Sequence, residues 1–138
     1  MNREILFRGF SIERKEWVYG SLVVNPFTKE CGIIFFDAIF HGVHHTVAPE
    51  TVGQFTGLRD KNGTMVFEGD ILKNHMNHKG VVNYSQRQAY FCVIDSDQWA
   101  DGIRFGGEMI NVDGDYWKLF ETSVIGNIID NPELLESI

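Results

Sequence analysis

Cysteine, positive charge and long apolar runs are all scarce in this chain, and each shortage removes a class of protein. Cys31 and Cys92 are the two cysteines, far apart and without CxxC spacing, a poor basis for a disulfide framework. Two buried free thiols in a reducing cytoplasm are the plain reading. Lys and Arg number 12 against 19 Asp and Glu, a net charge of −7, so the summed field opposes phosphate backbones and anionic lipid. The longest apolar run, near Ile33 to Phe36, is far short of the roughly 20 residues that span a bilayer. Met1 to Arg8 lacks the basic then apolar order of a signal peptide. A soluble cytoplasmic protein, with no membrane partner, is expected.

What remains is the composition of a folded domain. Of 138 residues, 43% are hydrophobic and 22% charged, far from a disordered chain. A chain of this length buries roughly two-thirds of its unfolded surface, so it needs no covalent staples. There is no repeat, heptad or long polar linker, which favours one domain over 1–138, with subdomains at 1–52 and 53–138 as the alternative division.

β-Branched and aromatic residues recur in short runs between Gly, Asn and Asp clusters, the pattern of strands rather than helices. Strands are expected at Ile5–Phe10, Trp17–Val24, Gly32–Phe36, His45–Val47, Gly53–Thr56, Asp70–Asn74 and Gly80–Ser85. Further ones are expected at Tyr90–Ile94, Met109–Val112, Tyr116–Leu119 and Val124–Ile128. Asp60-Lys61-Asn62-Gly63 predicts a hairpin turn into Met65-Val66-Phe67, because Asn and Gly tolerate positive φ. Pro49 biases Ala48 toward extended backbone and ends a strand before a turn over Glu50 and Thr51. Asn131-Pro132-Glu133 predicts a short C-terminal helix with an Asn cap, its Leu134 and Leu135 packing on a sheet.

The block Val47 to Gly63, followed by Phe67-Glu68-Gly69-Asp70-Ile71-Leu72, resembles the YopX-like family of phage and prophage proteins. The likeness extends to Arg3-Glu4-Ile5-Leu6-Phe7-Arg8-Gly9-Phe10, to Trp17 and Gly20, to Val124-Ile125-Gly126-Asn127-Ile128 and to Asn131 through Leu135. The stretches Asn25–His45 and Gln86–Lys118 carry none of it. The resemblance implies a small, mostly β protein encoded by phages or prophages and brings no catalytic or ligand residue with it. From the pattern itself, Glu68 to Lys73 and Gly80 to Tyr84 look like the opening hairpin of a small SH3-like barrel, with further strands supplied by Tyr90–Ile94 and Val124–Ile128.

Candidate chemistry is sparse. His41, His44 and His45 form one group and His75 and His78 another, but alternation in a strand separates His44 from His45, and no cysteine ligands accompany them. Ser21, Ser85, Ser96 and Ser123 lack a nucleophile-elbow context. The pairs Asp95/Asp97, Asp113/Asp115 and Glu68/Asp70 could in principle serve a hydrolase or hold magnesium. All three flank predicted turns, where such side chains accept backbone N–H bonds. Arg104-Phe105-Gly106-Gly107 lacks the phosphate-loop pattern. Basic residues gather only locally, at Arg14-Lys15, Arg59 with Lys61, and Arg87, so the 13% aromatic content reads as packing rather than a nucleic-acid platform.

Trp99, Ile103, Arg104 and Phe105, in a predicted loop, are the expected protein-contact residues. The functional expectation is a noncatalytic interaction or regulatory module with a protein partner, self-associating through exposed strands and aromatics, without cofactor or metal. A nucleic-acid-binding small β-barrel and a cryptic carboxylate-based hydrolase are the alternatives. At low salt, labelled single-stranded or duplex DNA is expected to show no gel shift with micromolar protein; micromolar binding that weakens steeply with salt would instead establish the nucleic-acid reading.

Overall fold

Strands separated by Asx turns and glycines account for most of the residues that the computed structural model describes, which are 3–75, 77–86, 89–95, 108–109 and 121–135. The chain divides into two units, Met1–Phe55 and Thr56–Ile138.

In the first unit, β1 (Phe7–Ser11), β2 (Glu16–Val24), β3 (Cys31–Phe36) and β4 (Gly42–Val47) pair antiparallel in succession. Strand β2 changes partner along its length. Its first half, as far as Gly20, lies opposite β1, and Ser21 to Val24 lie opposite β3. A Cβ on Gly20 would run into the main-chain oxygen of Ile34, so glycine permits the close backbone approach at this bend. The other edge of β1 takes Gly53 and Gln54 from the start of β5 (Gly53–Arg59) and touches β4 through the single pair Ser11–Val47. Val18, Ile33 and Val47 are buried together, with Phe7, Leu22, Cys31 and Val52 packed around them. Between β4 and β5 comes the 3-10 turn Pro49–Thr51. The buried Thr51 hydroxyl donates to the Ala48 carbonyl at 2.6 Å and accepts the Phe10 N–H at 2.8 Å. The proline block is therefore fastened to β1.

In the second unit, the outer part of β5 runs beside β6 (Met65–Phe67). The rest is an antiparallel sheet in the order β10-β9-β8-β7-β11, built from β7 (Asp70–Lys73), β8 (Lys79–Ser85), β9 (Tyr90–Asp95), β10 (Glu108–Met109) and β11 (Ser123–Asn127). Both faces of this sheet are covered. Leu72, Val82 and Val93 pack with Val66 and Leu58 on one side, while Ile71 and Val81 pack with Leu135, Leu134 and Ile128 on the other. Double coverage explains why its strands read as continuous apolar pairs, Ile71-Leu72 and Val81-Val82, instead of alternating.

The expected hairpin at Asn62-Gly63 forms, in a different geometry. Among the turn residues only Gly63 takes a positive φ, at 80°, and the Asp60 carboxylate organises the loop. Its Oδ1 accepts the N–H groups of Asn62 and Thr64 at 2.8 and 2.9 Å, and its Oδ2 accepts that of Val124 at 2.9 Å. Lys61 N–H donates to the carbonyl of the fully buried Thr122 at 3.1 Å. The turn is thus tied to the strand that closes the sheet.

The hairpin expected between Asp70–Asn74 and Gly80–Ser85 is present, with Ile71 opposite Val81 and Leu72 opposite Gly80. The described strands make two antiparallel sheets, and their pairings draw no closed barrel. Strand β4 begins three residues ahead of the expected His45. Of the segment expected at Met109–Val112 only Met109 falls in a described strand, and the one expected at Tyr116–Leu119 lies outside the described residues.

The expected C-terminal helix is a single 3-10 turn, Pro132–Leu135. Asn131 does not cap it forward, since its side-chain oxygen accepts the Asn127 N–H at 3.3 Å, and the turn is closed by Leu134 N–H to Asn131 carbonyl at 3.1 Å. Leu135 is buried, and Lys79 Nζ donates to the Leu134 carbonyl at 3.1 Å.

Replacing Asp60 by Ala leaves three backbone donors without their acceptor, so a loss of about 3 kcal/mol is expected, with a smaller loss for Asp60→Asn, which keeps one carbonyl acceptor. Urea unfolding midpoints measure both; equal stability of Asp60→Ala and wild type would refute the clamp.

Candidate protein-contact site

Each end of β3 carries a loop with an aromatic residue held out toward solvent. At the β3–β4 end, Asp37 Oδ1 accepts the N–H groups of Ile39 at 3.1 Å and His41 at 2.8 Å. Phe40 N–H donates to the Asp37 carbonyl at 3.0 Å, and Asp37 N–H to the His41 carbonyl at 3.1 Å. These bonds hold Phe40 at φ 62°, a left-handed conformation that bulky side chains rarely adopt. Its ring stacks on Phe36 with centroids 4.6 Å apart and planes 14° from parallel. Ile39 and Phe40 remain 86% and 80% exposed, so the turn displays them instead of burying them.

At the other end, between β2 and β3, Asn25 plays the part of Asp37. Its Oδ1 accepts the N–H groups of Phe27 at 2.9 Å and Thr28 at 3.2 Å, and Lys29, at φ 66°, donates its N–H to the Asn25 carbonyl at 2.8 Å. Phe27 is 91% exposed. Beside it opens a pocket of about 460 Å³, with Val23, Pro26, Phe27, Gly32, His44 and Thr46 among its walls. Val23, Gly32, His44 and Thr46 share one sheet face, because Val23 pairs with Gly32 and Gly32 with Thr46. The missing side chain at Gly32 leaves room for the His44 imidazole, which lies over this glycine where a Cβ would stand and forms part of the pocket wall.

The histidines expected to be ordinary surface or strand-end residues are placed separately. His44 and His45 alternate on β4, the first exposed and the second half-buried. His41 Nδ1 lies 3.7 Å from Asp37 Oδ2, and His75 Nδ1 lies 3.0 Å from Glu121 Oε2. Among the described residues no three His, Cys, Asp or Glu side chains converge as metal ligands. Asp70 is buried and its Oδ2 accepts the Phe67 N–H at 2.7 Å, the turn duty expected of the Glu68/Asp70 pair. Burial pushes the Cys92 thiol above its usual pKa, which keeps it protonated and a poor nucleophile at neutral pH.

Ser21, Ser85 and Ser123 stand on β2, β8 and β11. Trp99, Ile103, Arg104 and Phe105, the contact residues expected from sequence, lie outside the described residues, as do Ser96, Asp97, Asp113 and Asp115. Sequence reading missed Phe27, Phe36, Ile39 and Phe40. The signal for Phe27, Ile39 and Phe40 was an Asx-turn residue, Asn25 or Asp37, followed by apolar side chains where a loop ordinarily places polar ones; Phe36 closes the strand just before Asp37.

The YopX protein family model matches residues 6–136. Among solved structures, the crystal structure of protein EF1440 from Enterococcus faecalis is similar at 23% identity, with 98% of this chain and 100% of that one covered and a TM-score of 0.56. That likeness speaks to the fold. Among curated proteins nothing matches the chain. No helix among the described residues is long and apolar enough to cross a membrane.

Gly32→Ala must displace the His44 ring, and because that ring is exposed it can swing aside at little cost. A stability change within about 1 kcal/mol is expected, with the imidazole proton resonances of His44 shifted and those of His41 unmoved. NMR of the histidine ring protons checks this, and an unchanged His44 signal would place the ring elsewhere.

Proposed function

Starting from a chain that belongs to the YopX family, we propose that it is a noncatalytic interaction module, used by a phage or prophage in the host cytoplasm, that docks on other macromolecules through the aromatic loops of its first unit. The observation that carries this reading is the exposure of Phe27, Ile39 and Phe40, at 91%, 86% and 80%. The buried cluster of Val18, Ile33 and Val47 forms without them. Apolar side chains held out by specific turn bonds mark contact surfaces, whereas scattered exposed ones need no account.

The hydrolase alternative has less in its favour, because Asp70 of the Glu68/Asp70 pair accepts a main-chain N–H bond that the fold needs. The SH3-like reading of the second unit is supported by the β7–β8–β9 meander and by β11 returning to pair with β7.

The test is affinity capture from prophage-bearing cells with tagged wild type, a Phe27→Ser/Phe40→Ser variant and Trp99→Ala. A specific macromolecule held by wild type and lost by the double variant, with thermal melting unchanged, is the expected result. Equal capture by the double variant and loss with Trp99→Ala would move the site to the segment around Trp99; no specific macromolecule with any of them would refute the module.

A further inference from the structure

We infer that the pocket beside Phe27 takes the Phe36–Phe40 hairpin of a second copy of this chain, so that copies join head to tail through their first units. This rests on the interaction-module reading above and names its partner. Knob and hole sit at opposite ends of one strand. Six residues of β3 at about 3.4 Å each put roughly 20 Å between them, so a chain cannot fill its own pocket with its own hairpin.

Size agrees. A dry cavity of about 150 Å³ holds one benzene ring, so the pocket of about 460 Å³ has room for the stacked rings of Phe36 and Phe40. Val23, Pro26 and Phe27 supply apolar walls. The polar groups match as well: the hairpin brings Asp37 and His41, and the pocket presents Glu30 and His44. Each side offers one carboxylate and one imidazole, and acid can face imidazole across the contact twice.

Charge distribution points the same way. Residues 1–55 carry five Lys or Arg against six Asp or Glu, while residues 56–138 carry seven against thirteen. Like-charge repulsion therefore opposes contact between copies through the second unit and scarcely opposes it through the first. With one knob seated in one hole at each contact the interface is heterologous, and such contacts close as a ring or extend as a filament; two copies that seated each other's knobs would instead stop at a two-fold dimer.

Sedimentation velocity of the purified full chain across micromolar concentrations tests this with two variants. Phe36→Ser/Phe40→Ser removes the knob, and Val23→Lys, at a strand position 46% exposed, charges the hole. Wild type is expected to assemble beyond a dimer, and each variant alone is expected to be monomeric, its association weakened roughly thirty-fold or more. Mixed together they should form a one-to-one heterodimer that grows no further, since each retains the half that the other lacks. Circular dichroism melts confirm that both variants fold, and Phe40→Ser alone replaces the double variant should that one melt early.

A monomeric wild type overturns the inference, as do a wild type that stops at a two-fold dimer, assembly that survives either variant, and a mixture of folded variants that stays monomeric. A monomeric wild type that still captures another macromolecule through Phe40 overturns only the choice of a second copy. Loss of both overturns the module reading with it.

Discussion

Three main-chain N–H groups, those of Asn62, Thr64 and Val124, end on the carboxylate of Asp60, and the last reaches across 64 residues of sequence. Two of these bonds shape a local turn that Asn-Gly would favour anyway. The third makes the turn a foundation for β11, which pairs with β7 at the edge of the sheet opposite β10. A charged acceptor holds such donors more strongly than a neutral one, and the site is nearly closed to water, Asp60 being 7% exposed. Once β11 is placed, Val124 joins the Leu72, Val82 and Val93 cluster, and the chain beyond it carries Leu135 to the opposite face. Both apolar layers of the second unit thus draw on a strand that the turn holds through Asp60 and through the Lys61 N–H to Thr122 bond.

The first unit solves a similar problem with smaller parts. Strand β1 accepts β2 along one edge and shares the other between β5 and the end of β4. With a buried cluster as small as Val18, Ile33 and Val47, backbone pairing and the Thr51 bonds to Phe10 and Ala48 carry much of the order. Glycine at position 20 belongs to this economy, since the partner change of β2 brings the Ile34 carbonyl into the space that any side chain would fill. Hydroxyl, glycine and proline are used where the backbone needs them.

Much of this frame was legible because its signals are local. The Asp60–Gly63 turn, the Pro49 break, the apolar pairs of β7 and β8 and the terminal leucines each follow from residue type and spacing over a few positions. The long-range half of each feature was not legible. Nothing near Asp60 says that Val124 will donate to it, and nothing near Asn131 says that its side chain will turn back to Asn127 instead of forward to a helix. The exposed aromatics were hidden for a related reason. Phe36 and Phe40 read as core until a turn residue, Asp37, fixes which way the hairpin faces, and a period-2 pattern does not say which face of a strand meets water.

Loop construction then separates framework from contact surface within the first unit. The same device, an Asx side chain accepting two successive or near-successive N–H groups, builds the loops at Asn25 and Asp37. In each a non-glycine residue is left at positive φ, Lys29 in one and Phe40 in the other. At Lys29 the long charged side chain stays in solvent. At Phe40 an aromatic ring is kept in a backbone conformation that glycine or asparagine would adopt at lower cost. A loop selected only for closing β3 onto β4 gains nothing from that choice, so the stacked Phe36–Phe40 pair is better explained by what it meets outside the chain than by the fold that carries it.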